Sequence, residues 1–301
     1  MLLESLIDQA SRKGQNTVAV AAADSAEVIE AVMDALDRKL AAFILYGNKE
    51  KITSLINSQK QQLLNNHKLK IVHSNSDIEA AESAVQAVKN KQANVLMKGN
   101  IPTNILLKAV LNKEFGLRTG NVLSHTAFFE IPGLNQLLLV TDAAMNIAPN
   151  LEQKVQILNN SVSLAKSIGI KLPKVACLAA VEAVNPDMQA TLDAAALTMM
   201  NRRGQISGCI VDGPLGFDNA VSELAAKQKG IKSEVAGKAD ILLVPTIEVG
   251  NVLYKSFIYF ANAKVGAVIA GASSPIVLTS RADSAKSKLY SLALALCCVE
   301  T

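Results

Sequence analysis

Arg281 is the first residue whose setting asks for a chemical explanation. It lies in Leu278-Thr279-Ser280-Arg281-Ala282-Asp283-Ser284, after an apolar extended run and before an Ala/Leu-rich helical pattern that reaches Cys298. Ser280, Asp283 or Ser284 could cap that helix, which accounts for the hydroxyls and the carboxylate. It does not account for Arg281, because a cation in the first turn opposes the helix dipole. A bound anion would resolve the conflict, since free N–H groups, the dipole and a guanidinium would all favour it.

Four further polar clusters follow apolar runs. Pro245-Thr246-Ile247-Glu248-Val249-Gly250-Asn251 leads to Tyr254-Lys255, and the spacing predicts a helix starting at Gly250 and Asn251. Asn251 and Lys255, four apart, then share one face. Val211 to Ala220 reads as a strand, a Gly-Pro-Leu-Gly turn and a helix that Asp218 could cap. Thr141-Asp142-Ala143-Ala144-Met145-Asn146 and Lys98-Gly99-Asn100 also end strands, the latter with Pro102 starting a helix. Each alone is an ordinary strand-to-helix loop; together they form a polar rim that names no substrate.

The elements that must position these loops alternate along the chain. Strands are expected over 17–23, 41–47, 70–74, 94–99, 137–142, 174–180, 208–213, 241–245 and 267–271, with an extended stretch at 275–279. Helical patterns lie over 24–40, 76–91, 151–168, 186–201 and 250–263. Alternation of this kind implies βαβ units, with ligands beyond the carboxyl ends of the strands. Weak punctuation near 141–150 and 271–275 suggests a discontinuous α/β domain of 1–140 plus 275–301, with 141–274 as an inserted α/β domain.

Composition narrows the classes. Half of the 301 residues are hydrophobic, aromatics are 4% and Trp is absent, so the core must be Ala, Val, Leu and Ile. A net charge of +4, without a basic stripe, is too mild for a nucleic-acid footprint. Cys177, Cys209, Cys297 and Cys298 lack metal-ligand spacing and read as reduced core thiols. His67, His73 and His125 are scattered, and His125 is expected to be structural. No P-loop, GxSxG elbow, HExxH helix or dinucleotide fingerprint occurs. MLLESLIDQA does not read as a signal peptide, and no apolar run reaches membrane-spanning length, so a cytoplasmic location without membrane contact is expected.

The segments LMKGNIPT (96–103), TDAAMNIAP (141–149), VDGPLGFDNA (211–220), PTIEVGNVLYK (245–255), GASSP (271–275) and LTSRADS (278–284) resemble the phosphate acetyl/butyryltransferase family. They occur in order over roughly two thirds of the chain. SHTAFFEIPG (124–133), VNPDMQAT (184–191) and DGPLGFDNA (212–220) look more like the butyryl branch.

The resemblance implies a two-domain fold similar to isocitrate and isopropylmalate dehydrogenases, with mainly parallel sheets and an interdomain cleft. It implies a homodimer or higher homo-oligomer, and acyl-CoA plus phosphate giving acyl phosphate plus CoA. No metal or redox cofactor is implied; coenzyme A is a substrate. Arg281 matches the family's phosphate-binding arginine and Ser280 its neighbour, which can hydrogen-bond an oxyanion or the sulfur. The acetyl branch places a basic Asp six residues after this arginine, where this chain has Ser287. Asp283 and Glu248 are the replacement candidates. Lys98, Arg118 and Lys255 are candidate cations for phosphate or CoA, and Asn251, Asp142 and Asn146 candidate loop organisers.

Three alternatives stand beside a butyryl or branched short-chain transferase: an acetyltransferase, a decarboxylating dehydrogenase of related fold, and a non-catalytic acyl-CoA or acyl-phosphate sensor. The dehydrogenase would need a metal-binding carboxylate cluster and a nicotinamide site, which the sequence lacks. The Ser287 departure motivates the sensor.

Overall fold

The computed structural model describes residues 2–13, 16–279 and 283–299. By internal contacts the chain divides into an outer unit, Leu3–Asn121 with the segment from Gly266 onward, and an inserted unit, Val122–Val265. By internal contacts the borders fall at 121/122 and 265/266.

The outer unit holds α1 (Leu3–Arg12), β1 (Thr17–Ala21), α2 (Ala26–Asp37), β2 (Ala42–Gly47), α3 (Lys49–Lys60), β3 (Leu69–His73), α4 (Asp77–Lys89), β4 (Val95–Lys98) and α5 (Thr103–Val110). The inserted unit supplies β5 (Ser124–Glu130), β6 (Leu138–Thr141), α6 (Leu151–Ser167), β7 (Lys174–Leu178), α7 (Gln189–Arg202), β8 (Ile210–Leu215), α8 (Phe217–Val221), α9 (Glu223–Gln228), β9 (Ile241–Leu243) and α10 (Ile247–Tyr259). The outer unit resumes with β10 (Lys264–Ala270), β11 (Ile276–Val277) and α11 (Ala285–Cys297).

In the outer unit the strands run in the order β3-β2-β1-β4-β11-β10. All neighbours are parallel except β10 and β11. Strand order reverses between β1 and β4, which makes their carboxyl ends the topological switch point where ligands bind in open sheets. β4 is buried along its length, as a strand covered on both faces must be. Helix α4 shows the local logic: the Ser76 hydroxyl accepts from the Glu79 N–H, and Ala80, Ala81, Ala84, Val85 and Val88 are buried. Helix α1 buries Leu3, Leu6, Ile7 and Ala10, and is tied to α11 by a 3.0 Å bond from the Tyr290 hydroxyl to Glu4.

In the inserted unit the order is β5-β6-β9-β7-β8. Neighbours are parallel except β5 and β6, which pair antiparallel in register Thr126 with Thr141 and Phe129 with Leu138. Strand β5 was not among the expected strands: its polar Ser-His-Thr start hides the alternation, yet it is buried from Ser124 to Phe129. Its pairing to β6 and that of β6 to β9 place both on the inserted side of the border. Helix α10 starts at Ile247, earlier than expected, so Glu248 lies in its first turn and Gly250 inside it. Gly216, not Asp218, stands at the cap of α8, and Pro102 caps α5 rather than opening it.

Candidate active site

In the inserted unit, two strand-end loops are knitted together. The Asp142 carboxylate is buried; Oδ1 accepts from the N–H groups of Ala144 and Met145 at 2.9 and 3.0 Å. Oδ2 accepts from the Asn146 N–H at 3.2 Å and from Asn146 Nδ2 at 2.5 Å. The same Nδ2 donates to the Leu123 carbonyl at 2.8 Å, which fastens the loop to the start of β5. The second loop joins through the Val244 N–H to the Thr141 carbonyl and the Ile247 N–H to the Ile147 carbonyl. With its lone pairs spent on loop donors, Asp142 holds geometry rather than offering a base.

Asn251 and Lys255 are exposed on α10, one turn apart, in the helix this second loop launches. Glu248 is also exposed; hydrogen bonds from Thr246 and from its own N–H hold its carboxyl below the ordinary value. A carboxylate stabilised in its charged form is a weaker base. His125 is buried with its ring centroid 6.0 Å from that of Tyr254, in the aromatic cluster of Phe129, Tyr254 and Phe257.

In the outer unit, β4 ends at Lys98, which is buried, and its Nζ donates to the Gly99 carbonyl at 3.3 Å. Gly99 is required by close approach: a Cβ there would lie 2.1 Å from the Ala22 carbonyl oxygen. The Gly99 and Asn100 N–H groups donate to the Ala21 and Ala22 carbonyls, locking the end of β4 against the end of β1. Arg118 is exposed and bridges to Ala272, flanked by bonds from Thr119 to Gly271 and from Ser273 to Leu117.

Ser280 and Arg281 lie outside the described residues. Asp283 is half-buried, and Ser284 caps α11 by accepting from the Ser287 N–H at 3.2 Å. Lys288, which the sequence reading missed, is buried, and its Nζ donates to the Asp283 carbonyl. Burial pushes its pKa below the ordinary lysine value, while Asp283 and Glu27 oppose the shift. From Lys288 to Cys297 every residue of α11 is buried, and Lys288 is the charged one among them.

The structure thus brings together Asp142 and Asn146, with Glu248, Asn251 and Lys255 on the adjoining helix. Separately, it brings Lys98 and Asn100 to the outer unit's switch point. Arg118 lies on the Ala272 bridge.

The family model described as "Phosphate acetyl/butaryl transferase" matches residues 68–296. The chain belongs to this family. It is 57% identical over 300 residues to the probable phosphate butyryltransferase of Bacillus subtilis (strain 168), covering 100% of this chain and 99% of that one. The crystal structure of a branched-chain phosphotransacylase from Enterococcus faecalis V583 is similar at a TM-score of 0.84 and 38% identity, covering 94% of this chain and 99% of that one. A 4-hydroxythreonine-4-phosphate dehydrogenase from Burkholderia phymatum, at a TM-score of 0.57 and 10% identity, covers 96% of this chain and 99% of that one and shares the fold. The expected relation to a dehydrogenase-like fold holds at that level, and the family places this chain among the acyltransferases.

Proposed function

We propose that this chain transfers a short acyl group between coenzyme A and inorganic phosphate, acyl-CoA plus phosphate giving acyl phosphate plus CoA, with a preference for butyryl or branched four-carbon groups. The observation that carries the reading is end-to-end similarity to a probable phosphate butyryltransferase, with the Asp142 and Gly99–Asn100 loops held at strand ends. The branched-chain title of the Enterococcus structure supports the acyl preference. An acetyl preference is the second reading, and the family's description covers both.

The chemistry assigns roles. Phosphate attacks a thioester slowly unless it is desolvated and aimed, and charge grows on the carbonyl oxygen as it does so. Arg281 grips phosphate and neutralises that charge, and Ser280 donates a hydrogen bond to the oxyanion. Lys98 adds positive charge at the outer unit's strand ends, while Arg118, Asn251 and Lys255 serve CoA's phosphates and polar groups. Asp142 and Asn146 hold the first loop in shape. Glu248, charged and exposed, is assigned to substrate binding rather than proton transfer. No atom changes oxidation state, so the reaction needs no redox cofactor, and phosphate attacks the acyl-CoA thioester without a metal.

A homodimer is part of the same reading. Helix α10 exposes Val249, Val252 and Tyr259, with Phe260 just beyond, at 38, 62, 74 and 88%. These positions form one stripe at helical spacing, which a second copy would cover. Light scattering tests it: a monomer at micromolar concentration would contradict it. A cytoplasmic location suits the free thiols Cys177, Cys209, Cys297 and Cys298, and no helix among the described residues is long and apolar enough to cross a membrane. The activity is tested by phosphate-dependent CoA release from purified protein.

A further inference from the structure

We propose that Tyr254 is a positioning residue for acyl-CoA binding: its ring, seated on Phe129 and His125 of β5, fixes the turn of α10 that carries Asn251 and Lys255. The inference rests on the acyl-transfer reading above, in which those two residues serve CoA, and adds a residue to it.

Helix α10 is 13 residues long, and its buried residues are Gly250 and Phe257. An amphipathic helix of this length ordinarily buries a whole apolar stripe, as α4 does with Ala80, Ala81, Ala84, Val85, Ala87 and Val88. With so little of it buried, α10 takes its place in the inserted unit from a short set of contacts. At its start, the Ile247 N–H donates to the Ile147 carbonyl at 2.9 Å, and Gly250 lies against the Asp142 loop. Beyond that point its ring contacts take over.

Tyr254 stands edge-on to Phe129, with ring centroids 5.3 Å apart and planes at 73°. Its centroid is 6.0 Å from that of His125. Phe257 meets the same Phe129 ring at 5.1 Å and 81°, and Phe217 at 6.0 Å. Edge-to-face contacts constrain direction as well as distance. His125 and Phe129 are four apart on β5 and share a face of the strand. The strand is fastened in turn to the residue before Asp142, since Thr141 Oγ1 donates to the His125 carbonyl at 3.1 Å.

Gly250, Tyr254 and Phe257 thus form the inward face of α10. Each residue advances about 100° round the helix, so Asn251 and Lys255 stand about 100° round from Gly250 and Tyr254. Both are exposed. A lysine's flexible stem has no fixed geometry of its own, so the helix must supply it. A slide or rotation of α10 on its aromatic seat carries Asn251 and Lys255 with it, and a shift of about 1 Å is enough to cost a positioned group much of its effect.

The test measures phosphate-dependent CoA release from butyryl-CoA. It compares the parent, Tyr254→Leu, Tyr254→Phe, the pair Asn251→Ala with Lys255→Ala, and that pair combined with Tyr254→Leu. Tyr254→Leu should raise KM for butyryl-CoA about tenfold, the worth of one hydrogen bond to a charged group, while KM for phosphate holds. Tyr254→Phe, which keeps the ring on Phe129, should stay within about twofold of the parent. In the background lacking the Asn251 and Lys255 side chains, Tyr254→Leu should add no further rise, because its effect passes through them. A purely structural role would leave the two effects additive. An additive rise, a Tyr254→Phe as impaired as Tyr254→Leu, or an unchanged KM in Tyr254→Leu would overturn the proposal. If Tyr254→Leu does not fold, Tyr254→Met takes its place in the same comparison. A parent protein without phosphate-dependent release would instead overturn the acyl-transfer reading itself.

Discussion

Gly250 of α10 sits directly on Asp142: a Cβ at Gly250 would lie 2.5 Å from the Asp142 carbonyl oxygen and 2.8 Å from the Ala143 Cα. Both obstructing atoms are backbone, so no side chain can swing aside. The glycine is what lets α10 start against the loop that Asp142 folds around itself. Gly250→Ala would gain helix propensity but must push the two loops apart. A net destabilisation of about 1–3 kcal/mol is expected, as for other overpacked sites. Chemical denaturation checks it, and a variant as stable as the parent would show that the loops yield freely.

The buried pair Lys154–Asp193, 2.6 Å apart between α6 and α7, gives a second prediction. Gln189 also donates to Asp193, so the carboxylate is well served. Removing one partner strands a buried charge: Lys154→Met alone is expected to cost about 3–5 kcal/mol. Adding Asp193→Leu should recover most of that loss, because two apolar side chains suit the same space. A double variant no better than the single one would contradict this account.

Much of this fold was legible because its strands are continuous apolar runs. Val95 to Lys98 and Ile241 to Leu243 announce themselves, as do helices with a polar cap such as Ser76 or Asn150. Strand β5 was not, since Ser124, His125 and Thr126 are polar yet buried, and bonds such as Asn160 to Ser124 at 2.9 Å and Thr126 to Thr141 at 3.4 Å come only from tertiary structure. The start of α10 was misplaced because Gly250 and Asn251 imitate a helix boundary, whereas Gly250 serves close packing. At the site, Asp142 and Asn146 are four apart and their pairing is local. Lys288 escaped notice because its burial depends on α2 and β4, far away in sequence.

Burial also sets a pH dependence. The Cys297 thiol is pushed from the ordinary 9.0 up to about 12, chiefly by desolvation, with Lys13 opposing. In the unfolded chain the thiol ionises near its ordinary value, while the folded one keeps its proton. Stability from this group is therefore complete below pH 9.0 and is lost progressively as pH rises toward 12. The loss should not exceed about 1.4 kcal/mol per pH unit for one thiol. Denaturation midpoints of the parent and of Cys297→Ala, followed from pH 8 upward on the scale of roughly one unit per step, separate this thiol from other titrating groups. Parallel curves would contradict the assignment.

Arg281 has the clearest kinetic expectation. Arg281→Ala should lower turnover about a hundredfold or more, the usual consequence of removing one donor that stabilises transition-state charge. Phosphate-dependent CoA release measures it, with circular dichroism confirming the fold. Activity close to the parent's would remove Arg281 from the catalytic machinery.

The most direct test of the whole account is CoA release from acetyl-, propionyl-, butyryl- and isobutyryl-CoA, with and without phosphate. The account predicts release that requires phosphate and is fastest with the four-carbon substrates. Release independent of phosphate, or none from a folded sample that binds CoA, would contradict it.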